Sequence, residues 1–88
     1  MPSGSPEFQQ ACADVKTLGS KPKDVVQLEL YALFKRVTVG DVTGKEPKPG
    51  FTDFEGKAKL AARQKIAGMS EQDAEKAYID LVKNLLSA

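Results

Sequence analysis

The stretch YALFKRVTVGD, residues 31–41, sets a tyrosine four residues before a lysine, with a phenylalanine between them. At about 100° per residue on a helix, Val26, Leu30, Leu33 and Val37 fall at roughly 0°, 40°, 340° and 20°, a single apolar stripe. On the same count Tyr31 and Lys35 lie at roughly 140° and 180°, and Phe34 at about 80° on the flank. A phenol and an ammonium on a face turned from the core offer a surface for stacking and donors for an anion.

Lys59 and Arg63 stand four apart further along the chain. On one helix they repel by about 0.2–0.5 kcal/mol, which a bound phosphate between them would reverse. The same pair also reads as an ordinary solvated face, and so does Lys35 taken alone. Tyr78 falls on the apolar stripe of its own segment, as a packed ring with its hydroxyl at the rim or as part of a site. Lys16 suits the negative end of a helix dipole. No paired carboxylates with a credible base, no nucleophile constellation and no glycine-rich phosphate loop on a strand are present, so no enzyme chemistry is expected.

Four helical segments must position these groups. Ser5 and Pro6 read as a cap and first residue of a helix that carries Phe8, Ala11, Cys12, Val15 and Leu18 to Gly19. Pro22 and Asp24 open a second helix that runs to about Val39. The text DVTGKEPKPGF, residues 41–51, holds two glycines and two prolines and cannot be helical. A connection that long can cross a bundle, leaving helices 2 and 3 roughly parallel. Thr52 with Glu55 has the spacing of a capping box for helix 3, whose stripe is Phe54, Ala58, Ala61 and Ala62, ending at Gly68. Ser70 and Asp73 open helix 4, with Ala74, Ala77, Tyr78, Leu81 and Leu85 apolar. The expected fold is all-α, a four-helix bundle with a long crossover between helices 2 and 3. Residues 1–5 are expected to form a disordered lead and residues 6–88 one domain.

Composition narrows the function. The chain has 88 residues, with thirteen Lys and Arg against twelve Asp and Glu, a net charge of +1. That balance is too neutral for a sequence-blind nucleic-acid binder. With no histidine and one cysteine, a His-based triad, the common zinc patterns and an internal disulfide all drop out. Cys12 is expected as a buried, inert thiol. No apolar run approaches the roughly 18 residues of a membrane span, and no charged-then-apolar leader opens the chain. The expectation is a cytoplasmic protein, monomeric, without cofactor or metal.

YALFKRVTVGD, DFEGKAK and DAEKAYIDLV, with LGSKP upstream, together resemble the acyl-CoA-binding proteins, also called diazepam-binding inhibitors. The resemblance covers residues 8–86 in order and implies a non-catalytic carrier that binds, buffers and delivers long-chain acyl-CoA esters. It carries over the run Tyr31, Ala32, Leu33, Phe34 and Lys35 as ligand-binding. Within it Tyr31 and Lys35, with Lys59, match the residues that hold the ribose 3′-phosphate, and Phe34 the one that packs on adenine. Tyr78 matches a nucleotide contact and Lys16 a basic position near the phosphates. Val25, Leu28 and Leu60 are the implied walls of an acyl groove. Four departures stand out. Phe34 replaces a common tyrosine, Glu55 a common lysine, Leu60 and Arg63 two tryptophans, and the crossover is about two residues longer. A small helical module that binds another protein is the alternative, since amphipathic helices serve both roles.

Overall fold

Ser5 starts the first helix as expected, its hydroxyl accepting the Phe8 N–H at 3.2 Å with Pro6 behind it. In the computed structural model, which describes residues 4–44, 46 and 48–87, four helices follow: α1 (Pro6–Asp14), α2 (Asp24–Thr38), α3 (Phe54–Lys65) and α4 (Glu71–Ser87). No strand occurs among the described residues.

The first helix is shorter than its periodicity suggests. It ends at Asp14 and tightens into a 3-10 turn, Val15–Thr17, where the Thr17 hydroxyl donates to the Asp14 carbonyl at 2.7 Å. A local side-chain bond of this kind competes with continuing the helix. Of the expected disordered lead, residues 1–3 lie outside the described residues, while Gly4 and Ser5 are fastened. The Ser5 N–H donates to the Glu75 carboxylate, and Gly4, at φ +90°, sits where a Cβ would run into the Phe8 ring.

α4 packs on both α1 and α2, and α3 packs on α2 alone. The core is therefore shared by three helices: Phe8 and Ala11, then Leu30, Leu33 and Val37, then Ala74, Tyr78 and Val82. Phe8 is 1 % exposed and its ring lies 5.0 Å from that of Tyr78, tilted by 56°. An aromatic pair so arranged contributes about 0.5–1.5 kcal/mol beyond its burial. The apolar stripe expected along helix 2 is this core face, with Val26 partly buried at its start.

Helix 3 departs most from expectation. Its cap is Asp53, not Thr52: the carboxylate accepts the Gly56 N–H at 2.9 Å, and no bond from Thr52 to Glu55 forms. The turn that precedes it, with the Asp53 N–H donating to Gly50 O at 3.0 Å, brings Asp53 to the edge of the helix. Glycine at 56 leaves room for that carboxylate, which an added Cβ would meet. The helix stops at Lys65 instead of Gly68, and no residue of it is fully buried. Phe54, assigned to the apolar stripe, is 75 % exposed. A helix with one neighbour has no second wall to cover its first turn.

The crossover leaves α2 after Thr38 and reaches α3 at Phe54; Lys45 and Pro47 of the expected connection lie outside the described residues. Three long-range bonds then bring helix ends together. Arg63 donates to the Gly40 carbonyl at 3.2 Å, the Gly68 N–H to the Asp41 carboxylate at 2.7 Å, and Arg36 to the Met69 carbonyl at 2.7 Å. α2 and α3 thus end side by side, which a long connection permits and a tight hairpin does not. The expected opening of α4 is present, the Ser70 hydroxyl accepting the Asp73 N–H at 3.1 Å.

Candidate functional site

Successive residues of α2 point three ways, and this separates the run Tyr31 to Lys35. Tyr31 projects toward α3, where the Lys59 ammonium stands 5.3 Å from its ring centre and the Lys35 ammonium 5.8 Å. Two cations from two helices therefore share one aromatic ring. Ala32 and Leu33 are buried and line a groove between α2 and α3. Phe34 turns to the other side, its ring 6.1 Å from Phe8 and 6.4 Å from Tyr78, and is 37 % exposed.

The groove holds about 540 Å³ and is walled by Val25, Leu28 and Leu33 from α2 and by Ala58, Ala61 and Ala62 from α3. The small alanines on one wall leave the space between the helices unfilled. Glu29 and Lys65 stand at its edge as charged members of the lining. Of the three implied groove residues, Val25 and Leu28 are in this lining, whereas Leu60 is not. Leu60 lines a second recess of about 450 Å³ together with Tyr31, Lys59, Arg63 and the crossover residues Lys48 and Pro49.

The second recess is where charge gathers. Its two carboxylates are already committed to backbone donors: Asp53 to Gly56, and Glu46 to the N–H groups of Thr43 and Gly44 and the Thr43 hydroxyl. Those bonds, the Thr43 backbone first, hold the Glu46 carboxyl well below its usual range, at about 2. Arg63 spends part of its fork on the Gly40 carbonyl, where it answers the negative end of α2. Lys48 and Lys59 remain to face an incoming anion. Glu55 pairs with Lys59 at 3.1 Å.

Lys16, exposed on the 3-10 turn, is close enough to Cys12 to pull the thiol pKa down. Burial wins over that pull and over the Tyr78 hydroxyl, so the thiol stays above its ordinary value. Cys12 is half-buried, less than expected of an inert core thiol. Tyr78 is 4 % exposed, and desolvation with the neighbouring thiol raises its phenol pKa. Its ring is a core member behind Phe34, so of the two rings Phe34 carries the accessible face.

Two features escape a reading of the sequence. The groove's alanine wall is visible as a stripe, but not as a wall without a partner. The recess needs Glu46, Lys48 and Pro49, which sit in a connection with no period to follow. Among the described residues no group of His, Cys, Asp and Glu could hold a metal ion, and no helix is long and apolar enough to cross a membrane.

An apolar groove and a cation-flanked ring, both built by α2 and α3 together, are the features of a binding protein. The chain matches the family model described as acyl-CoA-binding protein over residues 5–82, and it belongs to that family. An acyl-CoA-binding protein homolog of Manduca sexta is 46 % identical over 82 residues, 93 % of this chain and 90 % of the relative. Homolog 1 of Caenorhabditis elegans is 48 % identical over 80 residues, 91 % of each chain. The crystal structure of Oryza sativa acyl-CoA-binding protein 2 superposes with a TM-score of 0.83 at 34 % identity, covering 92 % of this chain and 88 % of that one.

Proposed function

We propose that this protein binds long-chain acyl-CoA esters as a carrier, taking them up, buffering them and releasing them unchanged. The observation that carries the reading is that one pair of helices, α2 and α3, supplies both the Tyr31 ring with its two lysines and the walls of the apolar groove. Only a ligand with an anionic aromatic head and an apolar tail uses both. In this reading Tyr31, Lys35 and Lys59 hold the 3′-phosphate, and Phe34 packs on adenine with Tyr78 behind it. Lys16 approaches the remaining phosphates, and Val25 and Leu28 flank the acyl chain.

Each part has its own energetics. A hydrogen bond from an ammonium to a phosphate contributes about 1.5–3 kcal/mol, and each methylene taken from water about 0.8 kcal/mol. A few such bonds at the head and several covered methylenes at the tail each add kcal/mol to the whole, so both ends contribute to binding. No bond is made or broken: the carrier works as a monomer in the cytoplasm, and its membership of a binding family supports a non-catalytic role.

Thermal melting tests the reading. Ligand at about 100 times its Kd adds roughly 2.7 kcal/mol to a fold that binds only when native. In a domain of this size that raises Tm by on the order of 10 °C or more. Palmitoyl-CoA is expected to produce that shift and free palmitate far less. An unchanged Tm with saturating palmitoyl-CoA contradicts the carrier and favours a helical module for protein partners.

A further inference from the structure

Among the described residues the chain forms one ion pair, and it falls on the lysine that faces Tyr31. Glu55 Oε1 lies 3.1 Å from the Lys59 ammonium, one turn earlier on α3. The ammonium is at the same time 5.3 Å from the Tyr31 ring centre, and that of Lys35 is 5.8 Å from the same centre. An anion drawn to this ring therefore meets one free cation and one already engaged by a carboxylate.

We infer that Glu55 is a specificity-determining residue of this phosphate site, a built-in competitor that lowers the protein's preference for the 3′-phosphate. The inference rests on the carrier reading above. It follows from the order of events at Lys59. In the free protein the ammonium is shared with Glu55, and to donate fully to a phosphate it must leave that carboxylate. The departure costs little, because the Glu55 side chain is 78 % exposed and water screens an exposed pair at this spacing. What remains afterwards is a negative charge one turn from a bound phosphate, which opposes it for as long as it stays bound. Both effects act on the phosphorylated head and neither on the acyl chain. Glu55 thus tunes one end of the ligand alone, weakly and in a salt-dependent manner.

The neighbouring acids do not share this role. Asp53 is committed to the Gly56 N–H and Glu46 to Thr43 and Gly44, so neither holds a lysine of the site. Among the described residues the Glu55 carboxylate has Lys59 as its partner and no backbone donor, and at 78 % exposure it has room to move aside for a phosphate.

Calorimetric titration of wild type and Glu55→Gln with palmitoyl-CoA and with its 3′-dephospho analogue tests the inference. Glutamine keeps the length and helix propensity of the side chain, so the fold is preserved. The variant is expected to bind palmitoyl-CoA about two- to fivefold more tightly at low salt, with the gain shrinking as salt rises. Affinity for the dephospho ester is expected to stay at the wild-type value. Equal tightening of both esters, or of neither, overturns the role of Glu55 while leaving the carrier intact. A wild type that binds neither ester overturns the carrier reading and this inference together.

Discussion

Lys59 on α3 and Tyr31 on α2 meet across the seam of two helices, the ammonium 5.3 Å from the ring centre, with Lys35 5.8 Å from the same ring. Neither lysine gains much from the half-buried ring, since a cation over an aromatic contributes about 0.5–1 kcal/mol where water reaches it and about 2 kcal/mol only when fully desolvated. Their convergence matters more, because two ammonium groups around one ring repel until an anion arrives between them. Lys35→Met and Lys59→Met are each expected to lose about 1.5–3 kcal/mol of palmitoyl-CoA binding, roughly ten- to a hundredfold. The double variant should lose less than the sum if both hold one phosphate. Dephospho ester, titrated in parallel, should be nearly indifferent to either change. A lysine whose removal weakens both esters equally is not a 3′-phosphate contact.

Two phenylalanines separate packing from mere apolarity. Phe8 is 1 % exposed against Tyr78, whereas Phe54 is 75 % exposed with Lys57 beside its ring. Phe8→Ala is expected to cost about 3–5 kcal/mol in urea unfolding, the usual loss for a buried aromatic. Phe54→Ser should stay within about 0.5 kcal/mol of wild type. A large loss at Phe54 would mean that its ring is covered.

Those two residues also mark what the sequence carries and what it does not. Along α2 the spacing of Leu30, Leu33 and Val37 repeats over several turns, and a stripe that persistent finds the core. α3 has a stripe of the same period, but period tells which side is apolar and not what lies against it. Ala58, Ala61 and Ala62 face a groove, and Phe54 faces solvent. The ring and cation face of Tyr31 and Lys35 was legible because it is off the core stripe. Its partner Lys59 needed the ordered motifs of the family, since no local rule links residue 31 to residue 59. Leu60 shows the limit of carrying positions over: it lines the recess with Tyr31 and Lys48, not the groove with Leu28.

The start of α3 supplies a sharp local test. Asp53 accepts the Gly56 N–H at 2.9 Å, while Thr52 makes no cap bond. Asp53→Ala is expected to cost about 0.5–2 kcal/mol of stability, and Thr52→Ala only a few tenths. Chemical denaturation of the two variants distinguishes them. The reverse order would restore the capping box that the sequence suggests.

Alkaline pH should find the Cys12–Tyr78 contact. Burial raises both groups above their ordinary values, 9.0 for the thiol and 10.0 for the phenol. The folded protein therefore keeps these protons after the unfolded chain has released them. Stability contributed by the protonated pair is complete below pH 9 and is lost as pH rises past the two ordinary values. Tyr78→Phe combined with Cys12→Ala is expected to flatten that loss in thermal melts across alkaline pH. An equally steep decline in the variant would place its origin elsewhere.

If head and tail of one ligand bind together, titration calorimetry with palmitoyl-CoA, coenzyme A and palmitate in separate runs shows it. Each buried methylene is worth about 0.8 kcal/mol, so even partial cover of the chain should place palmitoyl-CoA orders of magnitude above bare coenzyme A. Palmitate, with no nucleotide to meet Tyr31, Lys35 and Lys59, should bind far more weakly than the ester. Coenzyme A binding as tightly as palmitoyl-CoA would leave a nucleotide dock and contradict an acyl carrier.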